Sequence, residues 1–407
     1  MRTRTWCVVV ALSCVSTSAA GQTVLTEAEA LARLSADSPR VRAIRADVDV
    51  ARAEVLAAGR WPNPRVTLNR ESVAGIAEHM ALVTQPLPIS GRRDLEVRAA
   101  AATADAASSR ADDAVRVARA ELRAAYADLV AAQGREAELT RAGDRLRELA
   151  GVLARRETAG ESAGYDRLRA DREVLEVEES RAAARADRAR AQGAVAAFFA
   201  AAVDPAGIVA AAPPPAAPRT ALPSVEELVA RAQMVRGEFA ALRHEADSAR
   251  LAHQAAGRRL VPEPEVVAGT KSSNAGGGDI GSVLSVHVAV PLFDRARPEQ
   301  AMAVAKLAQA DARAEAFQIA VRAQIAAART AVVERRDSAD RYRDAAESVE
   351  RLERIALVSY EAGERGILEL LDAYRGGAAS RARQAELDAA ARRAEIELEL
   401  ASGWEIR

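Results

Sequence analysis

The chain is written twice. Through its long apolar-periodic stretches, equivalent residues recur at a constant offset of 203: Leu122 with Ile325, Leu129 with Val332, Leu139 with Tyr342, Leu146 with Val349, Leu149 with Leu352, Val152 with Ile355. Gly160 and Gly363, Leu168 and Leu371, and Ala170 and Ala373 keep the same offset. Upstream, Pro62 and Pro64 match Pro262 and Pro264 at 200, and Pro86 matches Pro291 at 205; the longer loop KSSNAGGGDIG in the second copy supplies the difference. A duplication of this length forces one supersecondary unit to be built twice and packed against itself.

Each copy opens on a capping box, Thr26 with Glu29 and Ser224 with Glu227, in which hydroxyl and carboxylate satisfy the free amides of a helix start. One helix is expected to follow in each case, to about Gly59 and Gly257, where PNP (62–64) and PEP (262–264) remove donors and force extended backbone. Two short extended runs around a glycine-containing loop then predict hairpins at about 64–86 and 264–291. Helical periodicity resumes over about 93–157 and 298–360, and roughly 65 residues at ~1.5 Å each make a rod of about 95 to 100 Å. Apolar positions recur every seven residues there, with a ten-residue step from 129 to 139 and from 332 to 342, a heptad plus three that overwinds a coiled coil. Turns at AGESAG (159–164) and AGERG (362–366) lead into returning helices that end near 200 and 401. The expected organisation is a leader over 1–20, a first repeat over 21–203, a Pro/Ala-rich linker over 204–223 and a second repeat over 224–407.

Composition narrows what such units do. The hydrophobic fraction of 49% is dominated by alanine and aromatics are 3%, which suits long helices packed side by side better than several compact cores. The 57 basic and 58 acidic residues are interspersed, so no basic field exists to hold phosphates and nucleic acid is not an expected partner. Arg2 and Arg4, an apolar run to about Val15 and small residues at Ser18 and Ala20 read as a secretory leader cleaved after Ala20. Both cysteines, Cys7 and Cys14, fall inside it, so no disulfide is expected; Cys14 also sits in a weak lipidation box. Beyond the leader no apolar run reaches about 18 residues, so any membrane crossing has to be by strands. The strands suit that: Leu284, Val286, Val288 and Val290 alternate with Ser285, His287 and Ala289, and Val66 and Leu68 with Arg65, Thr67, Asn69 and Glu71. Residues 79–85 alternate poorly and leave their facing open. Four strands cannot close a barrel alone, whereas three chains would supply twelve.

Taken in order, LTEAEALARLSADSPRVRA (25–43), GRWPNP (59–64), TQPLPISGRR (84–93), VPLFDRAR (290–297), AGESAGYDRLRA (159–170) and AGERGILELLDA (362–373) resemble the TolC-type outer membrane efflux protein family, in its CzcC/CusC-like branch. The resemblance implies a mainly α fold with a small β part, in which a homotrimer forms a twelve-stranded outer-membrane barrel continued by a twelve-helix periplasmic tunnel. It implies a passive exit duct for metal ions or drugs, working with a periplasmic adaptor (membrane fusion protein) and an inner-membrane pump of the resistance-nodulation-division (RND) type. The tip residues Gly160, Glu161, Ser162, Gly363, Glu364 and Arg365 would then receive the adaptor, and Asp166, Glu369 and Asp372 are candidates for a periplasmic gate. Pro86, Pro88, Gly91 and Pro291 mark the joints between barrel and tunnel, with Arg92 and Arg93 in the polar zone below the lipid. Two alternatives share parts of this pattern: the duct of a type I protein secretion system and a secreted coiled-coil structural protein. His79, His244, His253 and His287 lack ligand spacing, so no metal site or cofactor is expected, and no nucleophile elbow or phosphate loop suggests catalysis.

Overall fold

The computed structural model describes residues 23–160, 164–199, 203–211, 221–293 and 295–406. The leader and part of the linker lie outside them. Strand β1 (Thr23–Leu25) leads through the Thr26/Glu29 capping box into α1 (Glu27–Arg33) and α2 (Pro39–Ala58). Hairpin β2 (Arg65–Val73) and β3 (Ile76–Pro86) is followed by α3 (Arg92–Thr158), an unbroken helix of 67 residues, and by α4 (Gly164–Ala196) and the short β4 (Ile208–Ala210). The same order then recurs: α5 (Val225–Val235), opened by the Ser224/Glu227 box, α6 (Gly237–Arg258), β5 (Pro264–Ser273), β6 (Ile280–Val288), α7 (Arg297–Asp344), α8 (Ala346–Glu361) and α9 (Ile367–Ser402).

Three helices expected to be continuous are broken. The first opens a new helix at Ser38, whose hydroxyl accepts from the Val41 amide with Pro39 at the first helical position. The second breaks at Arg236, whose backbone is extended, and the next helix opens on Gly237, which runs against α3: a Cβ there would lie 2.1 Å from the Ser109 carbonyl oxygen. The third, the long rod of the second copy, is interrupted at Ala345, where the Ser348 amide bonds three residues back to Ala345. That is a 3₁₀-type tightening just beyond the ten-residue step; α3 carries the equivalent step without a break.

The helices make one layer, α2, α3, α6 and α7 side by side toward the strands, and α4, α3, α9 and α7/α8 toward the turns, so α3 and α7 run through both. Between them lies a girdle holding the parallel pair β1/β4, α1 and α5. Its two apolar clusters are built on equivalent residues: Leu122 and Leu129 in one, Ile325 and Val332 in the other, all fully buried. Equivalence extends to a single backbone contact. The Tyr126 hydroxyl donates to Leu25 O (2.8 Å), and Arg329, 203 residues later, donates to Pro223 O (2.9 Å), each just before its capping box.

The two hairpins form one antiparallel sheet in the order β2-β3-β5-β6, with β2 and β6 as open edges. Its register settles the facing of 79–85: Val66, Val83, Ala268 and Leu284 share a row and a face, and Thr67, Leu82, Gly269 and Val283 share the next row on the other. The turn Ala74-Gly75 has positive φ at both residues, as a two-residue hairpin loop requires. Gly91, which begins α3, has φ 73°. A Cβ there would touch nothing, so Gly91→Ala carries conformational strain alone and should cost about 1 kcal/mol. Ala74→Asn should stabilise by up to about 1 kcal/mol, since asparagine tolerates the left-handed region better. Chemical denaturation in detergent, followed by circular dichroism, reads both signs.

Candidate functional site: a curved sheet set on a helical layer

The two faces of the sheet differ in exposure, as they do when a sheet curls toward one of them. Leu82, Thr84, Val267, Val283 and Ser285 are half-buried to buried, whereas Ala81, Val83, Ala268, Leu284 and Val286 on the opposite face are exposed. The exposed, convex face is nearly all apolar along β6 (Leu284, Val286, Val288) and carries Val66, Leu68 and Val83 on the first hairpin, with Arg70 and His79 on the same face toward the hairpin turn. The concave face holds the charges Arg65, Glu71, Glu78, Glu265 and Lys271, with Lys271 Nζ 2.7 Å from Glu78, and shares His287. Water on the concave side and lipid on the convex side is the arrangement such a sheet can satisfy. Strands of 9 to 11 residues have the length a tilted strand needs to cross hydrocarbon. Among the described residues no helix is long and apolar enough to cross a membrane.

The joints are built by polar contacts as well as by proline. Pro86 ends β3 opposite Glu265, the Leu87 amide still bonds Pro264 O (2.9 Å), and Pro88 follows as the ladder ends. Ser90 then donates to Glu263, which also faces Arg92, and Arg92 reaches on to Glu96 (3.1 Å). Arg93 caps the end of α2 through Gly59 O (3.0 Å from Nε) and lies over the Trp61 ring. Both arginines thus bind protein. Pro291 follows β6, and at the equivalent of Gly91 the second copy has Ala296, also left-handed at φ 55°.

At the other end, Gly160 (φ 75°) and Gly363 (φ 73°) end α3 and α8. At Gly363 the motif is complete: its amide bonds Tyr360 O and the Glu364 amide bonds Ser359 O, satisfying the last carbonyls of α8. Glu364 and Arg365 are exposed on this turn; Glu161 and Ser162 lie outside the described residues. Asp166 is half-buried near Tyr360, whose phenol is pushed up first by burial and then by that carboxylate. Glu369 and Asp372 are exposed on α9. Among the described residues none of these three carboxylates has an ion pair.

The ion pairs near this end are made by residues that sequence pattern does not distinguish from a solvated helix face. Glu353 of α8 is only 8% exposed and accepts from Arg145 of α3 (3.1 Å) and Arg381 of α9 (2.8 Å). Gly377 makes the room, since a Cβ there would fall 1.6 Å from a Glu353 oxygen. Arg375 of α9 grips Glu173 of α4 with two bonds, 2.8 and 3.0 Å. The one available signal was Gly-Gly at 376–377 inside a helical pattern, which often marks a close approach. At the girdle, Glu27 is held by Arg123 and by Arg392, both of whose bonds are 3.1 Å; Arg123 also binds Glu399. Burial opposes the Glu27 charge, but Arg392 and Arg123 outweigh it and hold the carboxyl below the usual glutamate range.

Three measurements check these contacts. Gly377→Ala should cost about 2 to 4 kcal/mol by evicting Glu353, and in the Glu353→Ala background most of that cost should vanish, a coupling readable in a double-mutant cycle. The Glu27 pKa is lowered on folding, so its contribution is full above the unfolded carboxylate range and is lost as pH falls through the lower folded value. Acid titration of stability should therefore show wild type and Glu27→Gln converging as pH falls through that lowered folded value.

The family model described as outer membrane efflux protein matches residues 228–404. No curated protein matches the sequence. Among solved structures, a membrane protein from Pseudomonas aeruginosa has 20% identity and a TM-score of 0.78, covering 93% of this chain and 90% of that one. CusC, described in terms of folding and transmembrane channel formation, has 15% identity and a TM-score of 0.72 over 92% and 91%. The outer membrane protein VceC from Vibrio cholerae has 16% identity and a TM-score of 0.70 over 93% and 96%. In sequence over its second half and in fold over nearly all its length, the chain is similar to the TolC-type outer membrane efflux proteins, the family its motifs indicate.

Proposed function

We propose that the protein is the outer-membrane duct of a tripartite efflux system, a homotrimer whose three sheets close a twelve-stranded barrel above a tunnel of helices. The observation that carries this reading is where the apolar surface lies. Exposed large apolar side chains of the helical layer gather on its edges: Val50, Leu56, Leu168 and Leu175 on α2 and α4 at one side, Ile319, Leu352, Ile355 and Val358 on α7 and α8 at the other. The middle helices α3, α6 and α9 expose only Val117 and Leu368 among residues of that kind. Two different edges, both apolar and both continued by an unpaired strand, fit a head-to-tail contact that closes into a ring. The division into a first repeat over 21–203 and a second over 224–407 is part of this reading, each contributing one hairpin and one rod.

In this assembly the turns around Gly160, Glu161, Ser162, Gly363, Glu364 and Arg365 face the periplasm and receive an adaptor, which couples the duct to an inner-membrane pump of the RND type. Cargo is a drug or a metal ion. Among the described residues no group of three histidine, cysteine or acidic side chains is placed to hold a metal, and cargo in a passive duct needs no such site. Asp166, Glu369 and Asp372, without ion pairs among the described residues, would draw cations to the narrow end, while Glu353 and Glu173 hold the helices around it.

Two experiments test the proposal. Outer-membrane fractions run without heating should show a trimer band that collapses on boiling; a monomer in the soluble periplasm would sink it. In planar bilayers, the triple variant Asp166→Asn, Glu369→Gln, Asp372→Asn should lose most of the cation preference measured as reversal potential in a salt gradient. An unchanged potential removes these three from the gate.

A further inference from the structure

The segments that join strands to helices, 58–65, 86–93, 258–265 and 288–297, hold eight arginines against three carboxylates. The rest of the chain is close to balanced, so this is a local concentration. Arg92, Arg93 and Arg259 are engaged within the protein, by Glu263 and Glu96, by Gly59 and Trp61, and by Glu299. Arg258, Arg295 and Arg297 are exposed and have no ion pair among the described residues. Beside them the surface is apolar. The exposed row Leu284, Val286, Val288 and Val290 continues past the strand end into Leu292, and Phe293 is 98% exposed. Ile89 and Trp61 are exposed at the other joint.

We propose that this collar is a binding surface for anionic phospholipid in the leaflet that borders the helical layer. The inference rests on the reading that the convex face meets lipid, and adds to it which lipid. A guanidinium without a protein partner matches a phosphodiester in charge and geometry. Leu292, Phe293 and Ile89 offer acyl chains a surface continuous with the convex face. A dissolved phosphate would use the arginines and leave Phe293 in water, and a zwitterionic headgroup would bring an ammonium against three cations. An anionic lipid satisfies both sets of side chains at once. Aromatic and arginine side chains at a strand end are also the pair that sits stably where hydrocarbon meets water.

The test uses the full mature chain reconstituted into phosphatidylcholine vesicles with and without one-fifth phosphatidylglycerol. Spin-labelled phosphatidylglycerol and phosphatidylcholine report which lipid the protein retains, and protection of the strands from protease reports insertion. The wild type should insert into both vesicles and retain phosphatidylglycerol over phosphatidylcholine. The triple variant Arg258→Gln, Arg295→Gln, Arg297→Gln should insert equally and retain phosphatidylglycerol no better than phosphatidylcholine, since each arginine near an anionic surface favours the charged lipid. Insertion without a preference in the wild type, or an undiminished preference in the variant, overturns the proposal and leaves the membrane reading standing. Failure to insert into either vesicle overturns both. Loss of the preference in millimolar inorganic phosphate at constant ionic strength also overturns it, because the collar would then be a site for the free anion.

Discussion

An edge strand in hydrocarbon has no water to satisfy its amides and carbonyls, and in the proposed duct the two open edges of the sheet, β2 and β6, would be such strands. Everything else follows from removing them. A single chain offers four strands, and they leave β2 and β6 unpaired. In the proposed trimer closure comes from identical neighbours, and those neighbours can meet only if the helices beneath are sticky on the same two sides. They are: the apolar residues left exposed by α2, α4, α7 and α8 lie beneath the two open strand edges. The sheet and the helical layer therefore impose one symmetry on each other.

Alanine makes the helical layer possible. Ala102, Ala106, Ala111 and Ala118 line α3, and Ala241, Ala246 and Ala249 line α6, so the two helices approach closely along their length. Small side chains give little apolar area, and the layer is held laterally by arginine bridges instead, as where Arg110 of α3 spans Glu238 (3.0 Å) and Glu245 (2.7 Å) of α6. Partly exposed pairs of this kind contribute modestly one at a time. They matter here through register: a bridge between two rods fixes how far one can slide along the other.

Much of the fold was legible because it is local. Capping boxes, prolines after the first helices, glycines at the turns and the alternation along β6 each report a backbone geometry through a residue type that favours it. What escaped is tertiary. The pair β1/β4 is three residues on each side and has no pattern of its own. The glycine after the break at Arg236 is required because a carbonyl of α3 occupies the space of a Cβ. Ser38-Pro39 was a readable helix start, hidden inside a longer helical pattern. Asp166, Glu369 and Asp372 stood out by position near a turn, yet the carboxylates that tie helices together there are Glu353 and Glu173. Nothing separates these from dozens of other acidic residues until neighbouring helices are in place.

The two copies have diverged where one half must hold the other. Leu122 and Ile325, or Gly160 and Gly363, do the same job inside each repeat and have stayed alike. Glu353 has Ala150 at its equivalent position, Gly377 has Val174 and Arg381 has Glu178; Glu27 has Val225 and Arg123 has Ala326. Each of these changes removes a polar contact from one copy and leaves it in the other, so the networks at the girdle and near the turns occur once per chain. A chain of two identical halves would assemble with six equivalent interfaces and have no means of distinguishing a contact within a protomer from one between protomers. Placing salt-bridged, glycine-relieved packing on the internal contact and bare aliphatic side chains on the outer edges makes the two interfaces different. In the proposed homotrimer folding can then precede assembly, and the ring closes edge to edge.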